Sequence, residues 1–256
     1  MNLGFLGTGR ITSSVIEGIF KSNLKIKKIY ISPRNRIIAK KLSKRFKKVI
    51  ISKNNQQLID KSNWVFLAVT PKVGNKILKK LNFKKNKKII SFISTINLAQ
   101  LRKVIGKKIK IVRAIPLPPI SIKKGPVPIC PPDNQVKNFF NQLGTTIEIK
   151  NERSSINFWA TSGMMAPFYE LLKVLSDWLV KRGVKKNEAQ KYITSLFVAL
   201  SEDSAINSKK DLKYLVKESQ TPGGLNEQAI KKLRKNGFYR NLEKSLDGIL
   251  KRLNKV

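Results

Sequence analysis

The chain has 256 residues, with 53 Lys and Arg against 15 Asp and Glu, which gives a formal charge of +38. It has no His and a single Cys, Cys130, which excludes Ser-His-Asp hydrolysis, Cys-His chemistry, internal disulfides and the usual metal sites. With 41% hydrophobic and 27% charged residues, it is expected to fold as a globular protein of one large domain or two.

Short β-branched runs alternate with amphipathic segments in the first part of the chain. The runs predict strands over 3–6, 28–32, 49–51, 64–69, 88–93 and 110–115. Apolar residues at helical spacing predict helices over 11–21, 37–46, 72–81 and 98–105. Strands alternating with helices of this length predict an α/β fold with a doubly wound parallel sheet.

A glycine-rich turn, Gly7-Thr8-Gly9, follows the first predicted strand and opens the first helix. The first glycine permits a tight turn, and the second lets the backbone approach a pyrophosphate at the helix N-terminus. The third position of the motif is Thr12, where Gly or Ala is usual, so the helix must accommodate a larger residue against the strand. The pattern predicts a dinucleotide site, and the alternative is a purely structural turn.

The end of the second predicted strand indicates which dinucleotide is bound. An acid there binds the ribose 2′-hydroxyl of NAD, whereas a basic residue accommodates the 2′-phosphate of NADP. The chain has Ser32-Pro33-Arg34 and no acid at this point. We therefore expect NADP(H) to be preferred over NAD(H), the alternative being that Arg34 is one more solvated base.

The composition and the apolar periodicity of the sequence change in the second half. Segment 116–132 holds most of the 11 prolines, and we expect it to run extended over the cofactor site before a last βα unit ends near Ile149. Beyond Asn151, apolar periodicity predicts consecutive helices over 155–182, 186–208, 211–220, 225–236 and 238–253. We predict a dinucleotide-binding Rossmann domain over 1–151 and an all-helical domain over 152–256.

No segment predicts a membrane span or a signal peptide, since no run approaches ~20 apolar residues. With one Cys, the natural location is the reducing cytoplasm. The basic residues are spread along the chain without a basic arm or recognition helix, so we do not expect a nucleic-acid partner. Lys, Ile and Asn are all abundant, and all three have A/T-rich codons. A biased codon composition therefore explains the high positive charge without assigning it a function.

Six motifs together resemble the pyrroline-5-carboxylate reductase family over essentially the whole length. They lie at 3–9, 65–72, 94–101, 112–116, 162–163 and 221–224. The most specific is Thr221-Pro222-Gly223-Gly224 between two C-terminal helices. The resemblance implies reduction of a cyclic imine with NAD(P)H in proline biosynthesis, and a homodimer or higher homo-oligomer formed by the helical domain.

The resemblance also implies which residues bind the cofactor. The pyrophosphate would contact Gly7, Thr8, Gly9, Arg10 and Ile11, and the 2′-phosphate would contact Ser32 and Arg34. Four residues would line the track from adenosine to nicotinamide, namely Ala68, Val69, Thr70 and Pro71. Ser94 would lie near the nicotinamide and Pro116 near its reacting face.

The substrate half departs from the family pattern at three places. Pro116-Leu117-Pro118-Pro119 lacks an Asn, Gly163-Met164-Met165 replaces small residues, and Leu225-Asn226 replaces a Thr pair. Candidate substrate contacts are Gly163, Met164, Met165, Thr221, Gly223, Gly224 and Leu225, with Asn226 and Tyr169 as candidate catalytic residues. Met164 and Met165 would otherwise be core packing, and Asn226 a helix cap.

Three hypotheses of different classes remain at this point. The first is an NADPH-dependent reductase of a C=N bond, in which Asn226, Tyr169 or a water orients the imine nitrogen. The second is a non-catalytic nucleotide-binding regulator of the same fold, and the third is a nucleic-acid binder that uses it. Because the departures make the substrate pocket more apolar, we also expect weak activity on pyrroline-5-carboxylate and a preference for a related imine.

Overall fold

A computed structural model describes residues 1–254, which divide into two compact units. The α/β unit comprises Met1–Trp159, with Leu253 and Asn254 assigned to it, and the helical unit comprises Ala160–Arg252. The domain boundary after residue 151 stays a prediction. None of the helices between residues 1 and 254 combines the length and hydropathy that crossing a membrane requires.

The α/β unit is built on one eight-stranded sheet with the order β3-β2-β1-β4-β5-β6-β7-β8. Every neighbouring pair is parallel except β6 and β7, which are antiparallel. The strands are β1 Asn2–Leu6, β2 Lys28–Ile31, β3 Val49–Ile51, β4 Trp64–Leu67, β5 Lys88–Ser91, β6 Lys110–Ala114, β7 Pro126–Cys130 and β8 Thr145–Glu148. The predicted doubly wound α/β fold is confirmed, and the six strands predicted from β-branched runs end within two residues of their predicted positions.

Helices cover both faces of the sheet. Side chains alternate along β1, so that Leu3 and Phe5 join one buried cluster with α1 while Leu6 joins the cluster on the opposite face. The helices of this unit are α1 Arg10–Lys21, α2 Arg36–Arg45, α3 Asn55–Lys61, α4 Pro71–Ile77, α5 Leu98–Ile105 and α6 Asn134–Asn141. Both faces are therefore buried, as a parallel sheet requires.

The proline-rich segment corrects one expectation. It does not run extended over the glycine-rich turn, because Pro118–Ile122 forms a 3₁₀ helix that packs on α1 and Pro126–Cys130 is strand β7. A Cβ on Gly18 of α1 would lie 2.4 Å from the carbonyl oxygen of Ile120, so the contact requires glycine there. The fixed φ of proline suits the first turn of a 3₁₀ helix as well as an extended strand, which is why proline content alone misled.

The helical unit contains no strand within residues 160–254, as predicted. Helix α7, Glu152–Thr161, leads into it, and a 3₁₀ turn at Ser162–Met164 divides the first predicted long helix. The remaining helices are α8 Met165–Val180, α9 Lys186–Ile206, α10 Leu212–Glu218, α11 Leu225–Lys235 and α12 Phe238–Asn254.

Candidate active site

The sheet has a topological switch at β1, because β2 lies on one side of β1 and β4 on the other. Ligands of open α/β sheets bind outside the carboxyl ends of the strands at such a point. The turn after β1 is Gly7-Thr8-Gly9, and Gly9 is the N-cap of α1. The turn therefore lies where the fold itself places a ligand site.

The two positions of the turn are occupied by glycine for different steric reasons. Gly7 has a φ of +108°, and a Cβ there would lie 2.4 Å from the carbonyl oxygen of Ala68 on the next strand end. At Gly9 a Cβ would meet no atom within 4 Å, so its backbone faces open space at the N-terminus of α1. This open backbone fits a pyrophosphate, for which the first N–H groups of α1 and its dipole are the donors.

Three hydroxyls hold the turn in shape. Thr12 is fully buried and its Oγ1 donates to the carbonyl oxygen of Gly7 at 2.7 Å, which explains a Thr where Gly or Ala was expected. Thr8 Oγ1 donates to the carbonyl oxygen of Ser32 at 2.8 Å, and the N–H of Gly7 donates to Ser32 Oγ at 3.1 Å. The end of β2 thus fixes the turn after β1.

A cleft of about 690 Å³ opens beside the turn. It is lined by Gly7, Thr8, Gly9, Ser32, Arg34, Asn35, Arg36, Ile37, Asn55, Ala68, Val69, Thr70, Val73 and Ile77. No carboxylate is among these lining residues, whereas two guanidinium groups are. The cleft therefore carries positive charge at a place where an NAD site would carry an acid, and the preference for NADP(H) stays a prediction.

Ser32 and Arg34 lie together at this cleft but are placed differently. Ser32 is 4% exposed and its hydroxyl donates to Asn55 Oδ1 at 2.8 Å, so its one proton is used inside the protein. Arg34 is exposed at the cleft. Its guanidinium is thus better placed than the Ser32 hydroxyl to meet an anion, and the predicted contacts of both residues with a 2′-phosphate stay predictions.

Asn55 was missed by the sequence reasoning. It begins α3, a seven-residue helix capped by Asn54, and it lies in the cleft. The consecutive asparagines at positions 54 and 55, shortly after β3, were the available signal, since Asn is favoured where a helix begins.

The other predicted cofactor residues follow the carboxyl edge of the sheet. Ala68, Val69 and Thr70 line the cleft, while Pro71 begins α4 beside them. Arg10 and Ile11 form the first turn of α1. Ser94 follows β5, and Pro116 is buried after β6; neither lines the cleft, and their predicted contacts with the nicotinamide stay predictions.

The predicted substrate residues lie in the helical unit. Gly163 is in the 3₁₀ turn before α8, and a Cβ there would lie 2.7 Å from Ile249 Cδ1. Met164 and Met165 are half-buried. Tyr169 is 55% exposed and lines a groove between α8 and α9. These contacts with a substrate stay predictions.

The turn at Thr221-Pro222-Gly223-Gly224 begins α11 and is held by its own side chains. Gly223 has a φ of +71°, and its N–H donates to Glu227 Oε2 at 2.7 Å. Hydrogen bonds from Lys231 and from Gly223 hold the pKa of Glu227 below its usual value. Asn226 Nδ2 donates to the carbonyl oxygen of Ser219 at 2.8 Å, and Leu225 is 85% exposed.

The fold and the cleft define a dinucleotide-binding oxidoreductase with a helical second half. Residues 2–97 match a family model described as "NADP oxidoreductase coenzyme F420-dependent". Residues 156–256 match one described as "Pyrroline-5-carboxylate reductase dimerisation", which supports a homo-oligomer. Together the two matches take in most of the chain, and the chain belongs to the pyrroline-5-carboxylate reductase family.

Curated relatives and solved structures agree with this family. The chain is 23% identical over 264 residues to pyrroline-5-carboxylate reductase of Corynebacterium melassecola, covering 96% of each protein. It is 29% identical over 195 residues to that of Aquifex aeolicus, covering 71% of this chain and 70% of the relative. The fold is similar to that of the Plasmodium falciparum pyrroline carboxylate reductase with NADP bound, with a TM-score of 0.85, 22% identity, and coverage of 99% and 97%. The reductase of Streptococcus pyogenes also gives a TM-score of 0.85 at 22% identity, covering 100% of this chain and 99% of that one.

Proposed function

We propose that the protein is an NADPH-dependent reductase of a C=N bond in a cyclic imine of the pyrroline-5-carboxylate class. The observation that carries the proposal is the open glycine turn beside a cleft without acids, in a chain of this family. Nothing in the cleft or the relatives favours a non-catalytic regulator. By this activity the protein would serve proline biosynthesis.

The cofactor, when bound, supplies the hydride, and the chain's own residues bind and orient it. The backbone of Gly7–Gly9 and the first turn of α1 would hold the pyrophosphate, and Arg34 the 2′-phosphate. A protonated imine accepts hydride without a strong protein acid, so the absence of His is compatible with the reaction. The residues thus act mainly by positioning.

Asn226 and Tyr169 remain our candidates for orienting the imine nitrogen. Because Asn226 already donates one amide hydrogen to Ser219, its Oδ1 is the atom suited to a protonated imine N–H. Tyr169 exposes more than half of its surface, so its hydroxyl is accessible to a ligand.

We further propose a cytoplasmic homodimer that does not depend on nucleic acid. The free, buried Cys130 fits a reducing compartment. The dimer proposal is argued below from the exposed apolar side chains of α8 and α9.

Spectrophotometric assays of NADPH oxidation test the function. The two substrates are pyrroline-5-carboxylate and 1-pyrroline, the same ring without the carboxylate. Turnover of either with a kcat/KM of ~10⁴ M⁻¹s⁻¹ or above supports an imine reductase. If NADPH binds but neither imine is reduced, the proposal is wrong and the non-catalytic alternative is supported.

The carboxylate of the substrate is the subject of a separate prediction. Glu227 Oε2 accepts the hydrogen bond from the Gly223 N–H, so the turn's own side chain uses a donor that a substrate carboxylate could otherwise take. We therefore expect the ratio of kcat/KM for pyrroline-5-carboxylate over 1-pyrroline to be low, and Glu227→Ala, which removes the acceptor, to raise it several-fold. Glu218→Ala, at an exposed acid on α10, serves as the matched control and should leave the ratio unchanged. An unchanged ratio in Glu227→Ala contradicts this role of the turn.

A further inference from the structure

Arg113 is a buried charge that the proposed reaction does not yet use. It lies on β6, is 2% exposed, and is among the largest fully buried side chains. It is not among the residues that line the cleft beside the glycine-rich turn. Because Ile111 contributes to the buried cluster on the α5 face and residues two apart share a face, Arg113 points to that same face.

The guanidinium of Arg113 joins three segments of the chain. Nη1 donates to Glu152 Oε1 at 2.5 Å, and Nη2 donates to the carbonyl oxygen of Ser94 at 2.5 Å. Its Cζ lies 4.0 Å from the ring centroid of Trp159. The loop after β5 is thereby tied to helix α7, which contributes both Glu152 and Trp159.

Glu152 strengthens the same connection. Its Oε1 also accepts a hydrogen bond from the N–H of Leu98, the first residue of α5, at 2.8 Å. Arg113 therefore holds the carbonyl group of Ser94 at the start of segment 94–97, and Glu152 holds the N–H of Leu98 directly after it. One ion pair fixes both ends of this short loop at the carboxyl edge of the sheet.

Burying a charged side chain costs free energy of folding, so the presence of Arg at position 113 needs a reason other than stability. Burial lowers the pKa of Arg113 from its usual value, and the hydrogen bond and charge of Glu152 oppose that effect. Apolar residues of similar volume often stabilise such a site as well as a buried ion pair does. The planar fork of Arg, unlike an apolar chain or Lys, binds two acceptors at a fixed separation.

The loop itself carries a second observation. The Thr95 Oγ1 atom, next to Ser94, is buried and has no hydrogen-bond partner among the described residues. Buried hydroxyls without partners are rare in folded proteins. The Thr95 hydroxyl is thus available to hydrogen-bond a bound molecule. It lies at the carboxyl edge of the sheet, where the nicotinamide is expected.

We propose that Arg113 is a positioning residue that, with Glu152, fixes the 94–97 loop against the nicotinamide end of the cofactor. The proposal rests on the proposed function and on the predicted position of the nicotinamide near Ser94, at the carboxyl edge of the sheet. A displacement of about 1 Å at the reacting groups can cost about a hundred-fold in rate, so loosening the loop should reduce catalysis more than it reduces folding.

The test compares Arg113→Lys with Asp133→Asn. Asp133 pairs with Lys88 at the opposite, amino-terminal end of β5, with side chains 19% and 10% exposed, so this variant also disturbs a buried ion pair but leaves the loop intact. We expect Arg113→Lys to lower kcat at least about ten-fold and Asp133→Asn to leave it within about two-fold. Glu152→Gln, which keeps the acceptor oxygen, should recover most of the activity that Glu152→Ala loses.

Binding measurements separate this proposal from the proposed function. NADPH and 2′,5′-ADP, which lacks the nicotinamide, are titrated against each variant, and the emission of saturating bound NADPH is recorded. We expect Arg113→Lys to weaken NADPH and shift its emission towards that of free cofactor while 2′,5′-ADP affinity is unchanged, even if the unaltered protein reduces no imine. Equal weakening of both ligands, or a kcat and emission like those of Asp133→Asn, would overturn the positioning role.

Discussion

We expect the choice of cofactor to depend on Arg34. It is exposed at the cleft beside Arg36, while the neighbouring Ser32 hydroxyl donates to Asn55, so we expect the Arg34 guanidinium to meet a 2′-phosphate. We expect NADPH to bind about ten-fold tighter than NADH, or about 1.4 kcal/mol, a modest value for a charge-assisted contact. Arg34→Ala should remove this difference by weakening NADPH alone.

Fluorescence titration of both cofactors checks the Arg34 prediction. Lys40→Ala, an exposed base on α2 outside the cleft, is the matched control for the loss of one positive charge from a strongly basic protein. It should leave the preference unchanged. Equal affinities for NADPH and NADH in the unaltered protein would show that Arg34 does not select the phosphate.

Single residues were predictable where the signal is local. Gly7 and Gly9 follow from the order of strand, turn and helix, and the structure gives each its own steric reason. The Ser32–Asn55 hydrogen bond joins residues 23 positions apart, and the Arg113–Glu152 pair joins residues 39 positions apart. No spacing rule along the chain reveals such pairs, because the sheet brings them together.

At the scale of elements, Asp133 connects helix α6 to strand β5. It caps α6 by accepting from the N–H of Val136 at 3.0 Å, and it pairs with Lys88 at 2.7 Å. Burial raises the pKa of Asp133, but the hydrogen bonds from Lys88 and Val136 outweigh it and hold the pKa below its usual value. The ionised carboxylate therefore stabilises the fold above its unfolded pKa of about 4, and that contribution is lost as the pH falls through the lower native pKa.

Asp133→Asn keeps the capping oxygen and removes the charge. We expect it to lower the free energy of unfolding by about 1 to 2 kcal/mol at pH 7, and by progressively less as the pH falls below about 4. Urea denaturation at several pH values measures the difference. Asp177, whose side chain is 48% exposed and pairs with Lys173 on α8, is the control, since Asp177→Asn should cost under about 0.5 kcal/mol. A loss in Asp133→Asn that is independent of pH would assign its role to packing.

Elements were predictable where periodicity is strong and long. The strands of the first half and four of the five helical segments of the second follow the apolar pattern closely, whereas the 3₁₀ turn at Ser162–Met164 divides the first segment. Helix α3 was missed because its seven residues span too few turns to show a period. Strand β7 was missed because prolines at positions 126 and 128 argue against a strand, although it pairs on both sides.

At the scale of the whole molecule, the two units bury apolar surface very differently. The sheet of the α/β unit carries fully buried side chains on both faces. In the helical unit, by contrast, the buried residues are Ala160, Ser176, Ala189 and Ile193. Large apolar side chains there remain exposed, among them Val174, Trp178, Leu196, Val198, Leu200 and Ile206. Apolar surface of this extent on one part of a chain indicates a protein interface.

We therefore expect an obligate homodimer or higher homo-oligomer formed through the helical unit, in keeping with the dimerisation family it matches. Leu196 and Leu200 lie one helical turn apart on α9 and are 38% and 55% exposed. Leu196→Glu combined with Leu200→Glu should place charges in the interface and cause dissociation, with loss of helix in far-UV circular dichroism. Ile122→Glu, at a 61% exposed apolar residue of the α/β unit, should do neither. Light scattering should give at least twice the 29.1 kDa chain mass for the unaltered protein, and the chain mass itself at micromolar concentration would contradict the interface.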